Sequence, residues 1–253
     1  SFTGSTEVGK IIVKAAADTM KNVTMELGGK SPAIILPDAD LEVAIPGAAS
    51  AIFFNQGQVC CAGSRLFVPD NLYDQVIAGL AEAADGMKIG CGLDPENMIN
   101  PLVSQIQFDR VMGYIESGRA EGAEVVAGGG RRGDKGYFVE PTILANTNRD
   151  MKVVREEIFG PVVCVQRYQD IDEVAKLAND TVYGLGASIW TRDVGNIINI
   201  VPKIRSGTVW VNCHNILDVV MPFGGYKQSG FGKDMGQQAL EGYLETKSVC
   251  IMA

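Results

Sequence analysis

The chain has 253 residues, of which 46% are hydrophobic and 21% are charged. This composition is typical of a globular protein, and the length suffices for one large or two small domains with a sizeable core. The formal net charge of −8 would repel nucleic acids and anionic membrane surfaces, so we expect neither as a partner.

Cysteine placement and hydropathy suggest the cellular setting. The six cysteines are too sparse and irregular for a disulfide framework or a zinc site, so we expect reduced thiols, no bound metal and a cytoplasmic location. No apolar run reaches the roughly 18 to 20 residues that cross a membrane, and no basic-then-apolar leader opens the chain, which predicts a soluble protein. The cysteines are Cys60, Cys61, Cys91, Cys164, Cys213 and Cys250.

The N-terminal elements begin with Ser1–Gly4, which looks like the end of a strand running into a turn. Because a natural domain seldom starts inside a motif, we expect the chain to be a fragment or an N-terminally shortened form. An Ala-rich helix is predicted over 10–17 and a buried strand over 32–36. Acidic residues at 38–40 suit a helix start, and an apolar helix is expected over 44–54.

Downstream, strands and helices alternate. This rhythm predicts an α/β fold with a mostly parallel sheet covered by helices on both faces. A short apolar run at 248–252 has no partner in its own sheet, so we expect it to pair with another subunit. The strands are predicted at 65–68, 124–127, 137–144, 162–168, 187–190 and 208–211, and the helices from 71–74 onward and at 105–119, 171–179, 194–204 and 237–244.

Three separated segments carry a family resemblance. They are Met25–Pro32 (MELGGKSP), Phe53–Gly63 (FFNQGQVCCAG) and Glu156–Pro161 (EEIFGP), and Cys60 lies 34 positions after Glu26 and 97 before Glu157. In residue type, order and spacing these segments together resemble the aldehyde dehydrogenase superfamily. The resemblance extends over essentially the whole chain.

Cys60 is the candidate nucleophile, since cysteine attacks carbonyl groups as the thiolate and needs a depressed pKa or a nearby base. The only histidine, His214, could serve as that base in a Cys/His protease, although papain-like flanking sequence is absent. Glu26 is the preferred base, because the following Gly28 and Gly29 leave room for a carboxylate and a water molecule. The resemblance assigns the same roles to Cys60 and Glu26.

Gly4 to Lys10 nearly match a phosphate-binding loop, but Ile11 replaces the magnesium-binding Ser or Thr, which argues against an ATPase. A helix N-terminus with small residues can still hold a pyrophosphate. The resemblance implies NAD or NADP as cofactor. Its implied binding residues are Gly4 and Ser5 at the pyrophosphate, Glu157 at the nicotinamide ribose with Phe159 beside it, and Leu27.

The substrate side is expected to be apolar. The segment Pro222–Gly230 also resembles the superfamily near its substrate tunnel, whereas we interpret Gly230-x-Gly232 as a flexible loop rather than a dinucleotide motif. The resemblance implies a small-molecule aldehyde as substrate. The expected substrate-binding residues are Phe54, Cys61, Leu217 and Phe223.

The resemblance also implies a domain plan. Residues 1–27 would be a remnant of the dinucleotide-binding domain, whose Rossmann part is largely missing; 28–228 would be the catalytic domain, and 229–253 a C-terminal tail with an oligomerisation strand. The implied activity is oxidation of an aldehyde through a Cys60 thiohemiacetal and thioester, in a homo-oligomer of two or four subunits. A cofactor-independent Cys60 esterase and a non-catalytic assembly piece are the alternatives.

Overall fold

The fold is described from a computed structural model that covers residues 1–253. Ten strands form two sheets, and eight α-helices connect or cover them. The strands are β1 Phe2–Thr3, β2 Met25–Glu26, β3 Pro32–Ile35, β4 Arg65–Pro69, β5 Glu124–Ala127, β6 Thr142–Ala145, β7 Val162–Tyr168, β8 Gly186–Trp190, β9 Thr208–Val211 and β10 Gly230–Phe231. The helices are α1 Thr6–Ala17, α2 Leu41–Phe53, α3 Tyr73–Asp85, α4 Gln105–Ala120, α5 Lys152–Arg155, α6 Ile171–Asn179, α7 Val194–Ile200 and α8 Gly236–Glu241.

The main sheet has seven strands in the order β5-β6-β7-β4-β3-β8-β9, and only the β5–β6 pair is antiparallel. Both of its faces are covered. Ala33 and Ile35 pack in the core that also contains buried residues of α2 and α3, whereas Ile34 packs with α6 and α7 on the opposite face. The predicted α/β fold with a mostly parallel, doubly covered sheet is therefore confirmed.

The small sheet has the order β1-β2-β10 and places Glu26 between its two neighbours. Thr3 pairs with Glu26 in the parallel ladder, and Gly230 pairs with Glu26 in the antiparallel one. The interpretation of Gly230-x-Gly232 as a flexible loop is therefore wrong at its first two residues, which form strand β10. Gly230 is buried strand backbone with a positive φ of 110°, which glycine tolerates best.

Helix starts agree with their capping residues. Asp40 accepts from the N–H of Glu42 at 3.1 Å and begins α2, as the acidic 38–40 segment predicted. Ser5 accepts from the N–H of Val8, so α1 begins at Thr6, four residues before the predicted helix. A polar cap therefore sets the helix start more sharply than the Ala-rich run does.

Several predicted boundaries are wrong. The strand expected at 137–144 forms only over Thr142–Ala145, because its partner β7 begins at Val162, opposite Thr142. The helix expected to reach 204 ends as α-helix at Ile200, just before Pro202, and continues as a short 3₁₀ turn. Helix α8 ends at 241 rather than 244.

The C-terminal residues 242–253 form neither helix nor strand and are exposed. The predicted strand at 248–252 is therefore absent from the single chain, which offers it no neighbouring strand, and its pairing with another subunit stays a prediction. Apolar side chains of α1, among them Ile11, are also exposed. Separately, none of the helices combines the length and the apolar character needed to cross a membrane.

Candidate active site

A cavity of about 310 Å³ lies where the small sheet meets the carboxyl side of α2 and the start of α4. It brings together both predicted catalytic residues, Cys60 and Glu26, and four predicted cofactor residues. The sequence predicts no metal site. In the structure, no three His, Cys, Asp or Glu side chains come together in a group that could hold a metal ion. The lining residues are Thr3, Gly4, Ser5, Glu7, Glu26, Gly28, Cys60, Gln107, Arg110, Glu157, Phe159 and Tyr183.

The turn after α2 places Cys60. Helix α2 ends at Phe53, and Asn55 and Gln56 then adopt left-handed backbone with φ of 48° and 56°. Such strain in non-glycine residues persists only where the surrounding structure holds it, and it is concentrated at functional sites. The Oε1 atom of Gln58 accepts from the N–H of Val103 at 3.1 Å and ties the turn to the segment before α4.

Gly29 brings the Cys60 loop against the end of β2. A Cβ atom at Gly29 would overlap the carbonyl oxygen of Cys60, so only glycine permits this approach of the two backbones. Glu26, at the end of β2, and Cys60 thereby share one cavity wall. The Gly-Gly pair is thus a packing requirement of the site as well as free space beside the carboxylate.

Glu26 is a buried carboxyl group with little to stabilise its charge. It is 6% exposed, and its Oε1 atom has no hydrogen-bond partner. Burial raises its pKa to about 7, and interaction with the Cys60 thiol only partly opposes the increase. A carboxyl group with this pKa can exchange a proton near neutral pH, which is what a general base requires.

The thiols of Cys60 and Cys61 have different surroundings. Interaction with Cys61, burial and the negative charge of Glu26 raise the pKa of Cys60. Cys61 is buried in a separate small core, where its thiol donates to Asn215 Oδ1 at 3.2 Å. The lining of the cavity includes Cys60 but not Cys61, so Cys60 is the accessible thiol, and it depends on Glu26 as a base rather than on a depressed pKa of its own.

His214 does not reach Cys60. Its Nε2 atom lies 2.9 Å from the carbonyl oxygen of Cys61 and its Nδ1 atom 2.9 Å from the Ser188 hydroxyl. A carbonyl can only accept, so Nε2 carries the proton and Nδ1 accepts from Ser188. Both ring nitrogens are therefore occupied by other groups. A Cys/His protease mechanism would need one of them to contact the Cys60 thiol, and neither does.

Glu157 also lines the cavity, beside the Gly28-Gly29 pair. Its Oε1 atom accepts from the N–H of Gly29 at 3.0 Å, and Arg110 donates to its main-chain carbonyl at 2.8 Å. Burial raises the pKa of Glu157, while the Gly29 N–H and the charges of Arg110 and Lys30 oppose the increase. The next turn is fixed by Gln107, whose amide donates to the carbonyl oxygens of Ile158 and Phe159.

Comparison with known proteins decides the family. The aldehyde dehydrogenase family model matches residues 1–249. The chain belongs to the aldehyde dehydrogenase family. It is 51% identical over 251 residues to the putative aldehyde dehydrogenase DhaS of Bacillus subtilis, covering 99% of this chain and 51% of that protein. An aldehyde dehydrogenase of Alternaria alternata is 48% identical over 252 residues, with 99% and 51% covered.

Solved structures of aldehyde dehydrogenases superpose closely on this chain. The NAD⁺ complex of the Bacillus cereus enzyme gives a TM-score of 0.97 at 50% identity, covering 98% of this chain and 50% of that one. Betaine aldehyde dehydrogenase from Staphylococcus aureus, in complex with NAD⁺, gives 0.95 at 39% identity, with 97% and 50% covered. The chain therefore spans about half the length of the aldehyde dehydrogenases that it matches.

The predicted substrate residues of this aldehyde dehydrogenase chain do not line the Cys60 cavity. Cys61 is buried, and its thiol donates to Asn215 Oδ1 at 3.2 Å. Phe223 packs in the same small core as Cys61. Phe54 is 61% exposed and lines a separate apolar cavity of about 600 Å³, and Leu217 is exposed as well. Their role as substrate walls stays a prediction.

Leu27 differs from the other predicted cofactor residues. Its side chain faces α1, where a Cβ atom at Gly9 would come within 2.6 Å of Leu27 Cδ2. The main-chain N–H of Leu27 donates to the carbonyl of Ser229 at 3.0 Å. The Leu27 side chain therefore supports the helix whose N-terminus opens onto the cavity and does not line the cavity itself.

Five polar lining residues were missed by sequence reasoning. Thr3 and Glu7 flank the predicted Gly4 and Ser5, so the turn before α1 was a signal for them. No local motif marks the other three, which converge on the cavity from distant segments. The missed residues are Thr3, Glu7, Gln107, Arg110 and Tyr183.

Proposed function

We propose that this chain is the catalytic part of an enzyme that oxidises an aldehyde to a carboxylic acid with NAD or NADP. The observation that carries the proposal is that Cys60 and Glu26, from segments 34 residues apart, line one cavity. Glu26 there is a buried carboxyl group with a pKa of about 7 and an unpartnered oxygen. A thiol beside such a base is the arrangement that covalent carbonyl chemistry requires.

In the first half-reaction Cys60 attacks the aldehyde carbon. Glu26 takes the thiol proton as the carbon–sulfur bond forms, because the raised pKa of Cys60 leaves its thiol protonated at neutral pH. The product is a thiohemiacetal on Cys60 once Glu26 has passed that proton to the substrate oxygen. A bound nicotinamide dinucleotide would supply a hydride acceptor, and loss of the hydride and of the hydroxyl proton would convert the thiohemiacetal into the Cys60 thioester.

In the second half-reaction a water molecule cleaves the Cys60 thioester. Glu26 removes a proton from that water, the new carbon–oxygen bond forms, the carbon–sulfur bond breaks, and the acid leaves with Cys60 restored. The carboxyl group of Glu26 lines the cavity beside Cys60, where it can accept this proton. A base in this position favours hydrolysis over transfer of the acyl group to coenzyme A.

The cavity fits the nicotinamide end of a dinucleotide. Gly4 and Ser5 line it at the N-terminus of α1, where backbone N–H groups and the helix dipole favour a pyrophosphate. Glu157 offers a carboxylate to ribose hydroxyls, and Phe159 an aromatic edge. A Cβ atom at Gly28 would overlap Glu157 Oε2, so the space in front of that carboxylate depends on glycine. NAD⁺ complexes of two relatives support NAD, and NADP stays an alternative.

A cofactor-independent esterase is the second candidate, and one observation favours it. Both residues needed to form and hydrolyse an acyl-Cys60 lie on this chain, although the chain covers only about half of its relatives' length. We further propose a cytoplasmic homo-oligomer. The six cysteines are all free, and exposed apolar side chains of α1 and of the C-terminal tail would be covered by a second subunit.

The test compares two activities of the 253-residue chain and its Cys60→Ser variant. Aldehyde-dependent formation of reduced NAD or NADP, lost in the variant, supports the dehydrogenase. Turnover of an activated ester without cofactor, also lost in the variant, supports the esterase. If the chain shows neither activity, both proposals are contradicted and the non-catalytic assembly role remains.

A further inference from the structure

Tyr183 presents a polar group to the cavity that nothing in the protein satisfies. It lies between α6 and β8, is half-buried and lines the same cavity as Cys60 and Glu26. The three tyrosines that are more fully buried each have a hydrogen bond at the hydroxyl, whereas the Tyr183 hydroxyl has no protein partner. Those three are Tyr73 with the Asn146 N–H, Tyr114 with Glu156, and Tyr168 with the carbonyl of Ile35.

The position of Tyr183 is fixed by its surroundings. Ser229 is fully buried; its hydroxyl accepts from the N–H of Gly184 at 3.0 Å and donates to the carbonyl of Gly28 at 2.6 Å. This bridge holds the segment of Tyr183 against the glycine pair of the active site. The N–H of Tyr183 also donates to the Thr181 hydroxyl at 3.2 Å. The backbone that carries the Tyr183 side chain is therefore held in place before any ligand binds.

Charges around the hydroxyl keep it a donor. Burial, followed by the carboxylates of Glu157 and Glu7, raises the pKa of Tyr183 to about 12, and Arg110 and Glu156 are the other charged groups that act on it. At neutral pH the hydroxyl is therefore protonated. Glu157, Glu7 and Arg110 line the same cavity, so this wall offers both acceptors and donors. Neighbouring hydroxyl groups of a sugar donate to carboxylates and accept from donors such as a phenol.

We propose that Tyr183 is a further ligand-binding residue, whose hydroxyl donates a hydrogen bond to the sugar that joins nicotinamide to the phosphate. The inference rests on the proposed cofactor site and adds to it a residue that no sequence motif marks. The chemical class recognised is a ribose carrying free hydroxyls, held between Glu157 and Tyr183.

The test is a titration of ¹⁵N-labelled protein with nicotinamide mononucleotide, followed by amide chemical shifts, which measures millimolar as well as micromolar affinities. Tyr183→Phe removes one oxygen atom and keeps the ring, so its spectrum should overlay that of the wild type. We expect Kd for the mononucleotide to rise about five- to tenfold, the usual effect of one lost hydrogen bond. Kd for nicotinamide alone, which lacks the sugar, should not change.

Tyr226→Phe is the matched control, because Tyr226 lies beside Gly184 but does not line the cavity. Equal mononucleotide affinity of wild type and Tyr183→Phe would overturn this inference and leave the proposed function intact. No mononucleotide binding by the wild type would overturn both. Weaker binding by Tyr183→Phe in a protein that shows no Cys60 acylation would uphold this inference and overturn the proposed chemistry.

Discussion

Replacing Glu26 by Gln should stabilise the folded chain, and the gain should grow with pH. The carboxyl group is 6% exposed, and burial raises its pKa from 4.5 to about 7. Below pH 4.5 the group is protonated in both the folded and the unfolded state and has no effect. As the pH rises through 7, the unfolded chain holds the charge more easily than the folded one, so stability is lost. Gln carries no charge and avoids this loss.

The magnitude follows from the two pKa values. At about 1.4 kcal/mol for each pH unit, the difference between 4.5 and about 7 gives an upper bound of about 3 kcal/mol at alkaline pH. Solvent screening through the cavity reduces the expected gain to about 2 kcal/mol at pH 8. At pH 5 most of the penalty has not yet developed, and the expected gain is below about 1 kcal/mol.

The assay is urea unfolding of wild type and Glu26→Gln at pH 5 and pH 8, analysed by linear extrapolation. Glu116→Gln, on the exposed face of α4, is the control and should change the free energy of unfolding equally at both pH values. A gain from Glu26→Gln that is the same at pH 5 and pH 8, or a loss at pH 8, would refute the reasoning that Glu26 is a buried base held near neutrality.

Two further predictions test the packing and the charges of the site. Gly28→Ala should lower the free energy of unfolding by about 1–3 kcal/mol, because its Cβ atom would displace the Glu157 carboxylate. The control Gly113→Ala lies on α4, where a Cβ atom meets open space, and should raise the free energy of unfolding by up to about 1 kcal/mol. Equal effects of the two variants in urea unfolding would contradict this prediction. Glu26→Gln should also shift the pH midpoint of Cys60 alkylation downward, since it removes a charge that raises the thiol pKa. Peptide mass mapping of iodoacetamide-treated protein measures this midpoint, and an unchanged value would count against contact between the two groups.

Most of the sheet could be predicted because its strands are buried on both faces. Strand β3 is a continuous apolar run, and buried strands of this kind stand out between polar caps such as Asp40. Strand ends could not be predicted in the same way. Thr142 begins β6 only because Val162 lies opposite, and that pairing is a tertiary property.

The candidate site was predictable where a motif carries it. Cys60, Glu26 and Glu157 belong to segments recognisable in the sequence, and the structure brings them to one cavity. Arg110 and Tyr183 belong to no such segment, and their approach depends on how α4 and the loop before β8 pack. The family is established by the comparisons, whereas the roles of individual site residues stay predictions.

The central claim is that Cys60 carries the acyl group and Glu26 activates the water that removes it. Intact-mass and peptide analysis after mixing with an activated acetyl ester tests this without any cofactor. We expect the acetyl group to appear on Cys60 transiently in the wild type. In Glu26→Gln it should form more slowly, because the thiol has lost its base, but persist once formed, because the water has lost it too. Acetylation at Cys61 instead, or release from Glu26→Gln at the wild-type rate, would contradict the account.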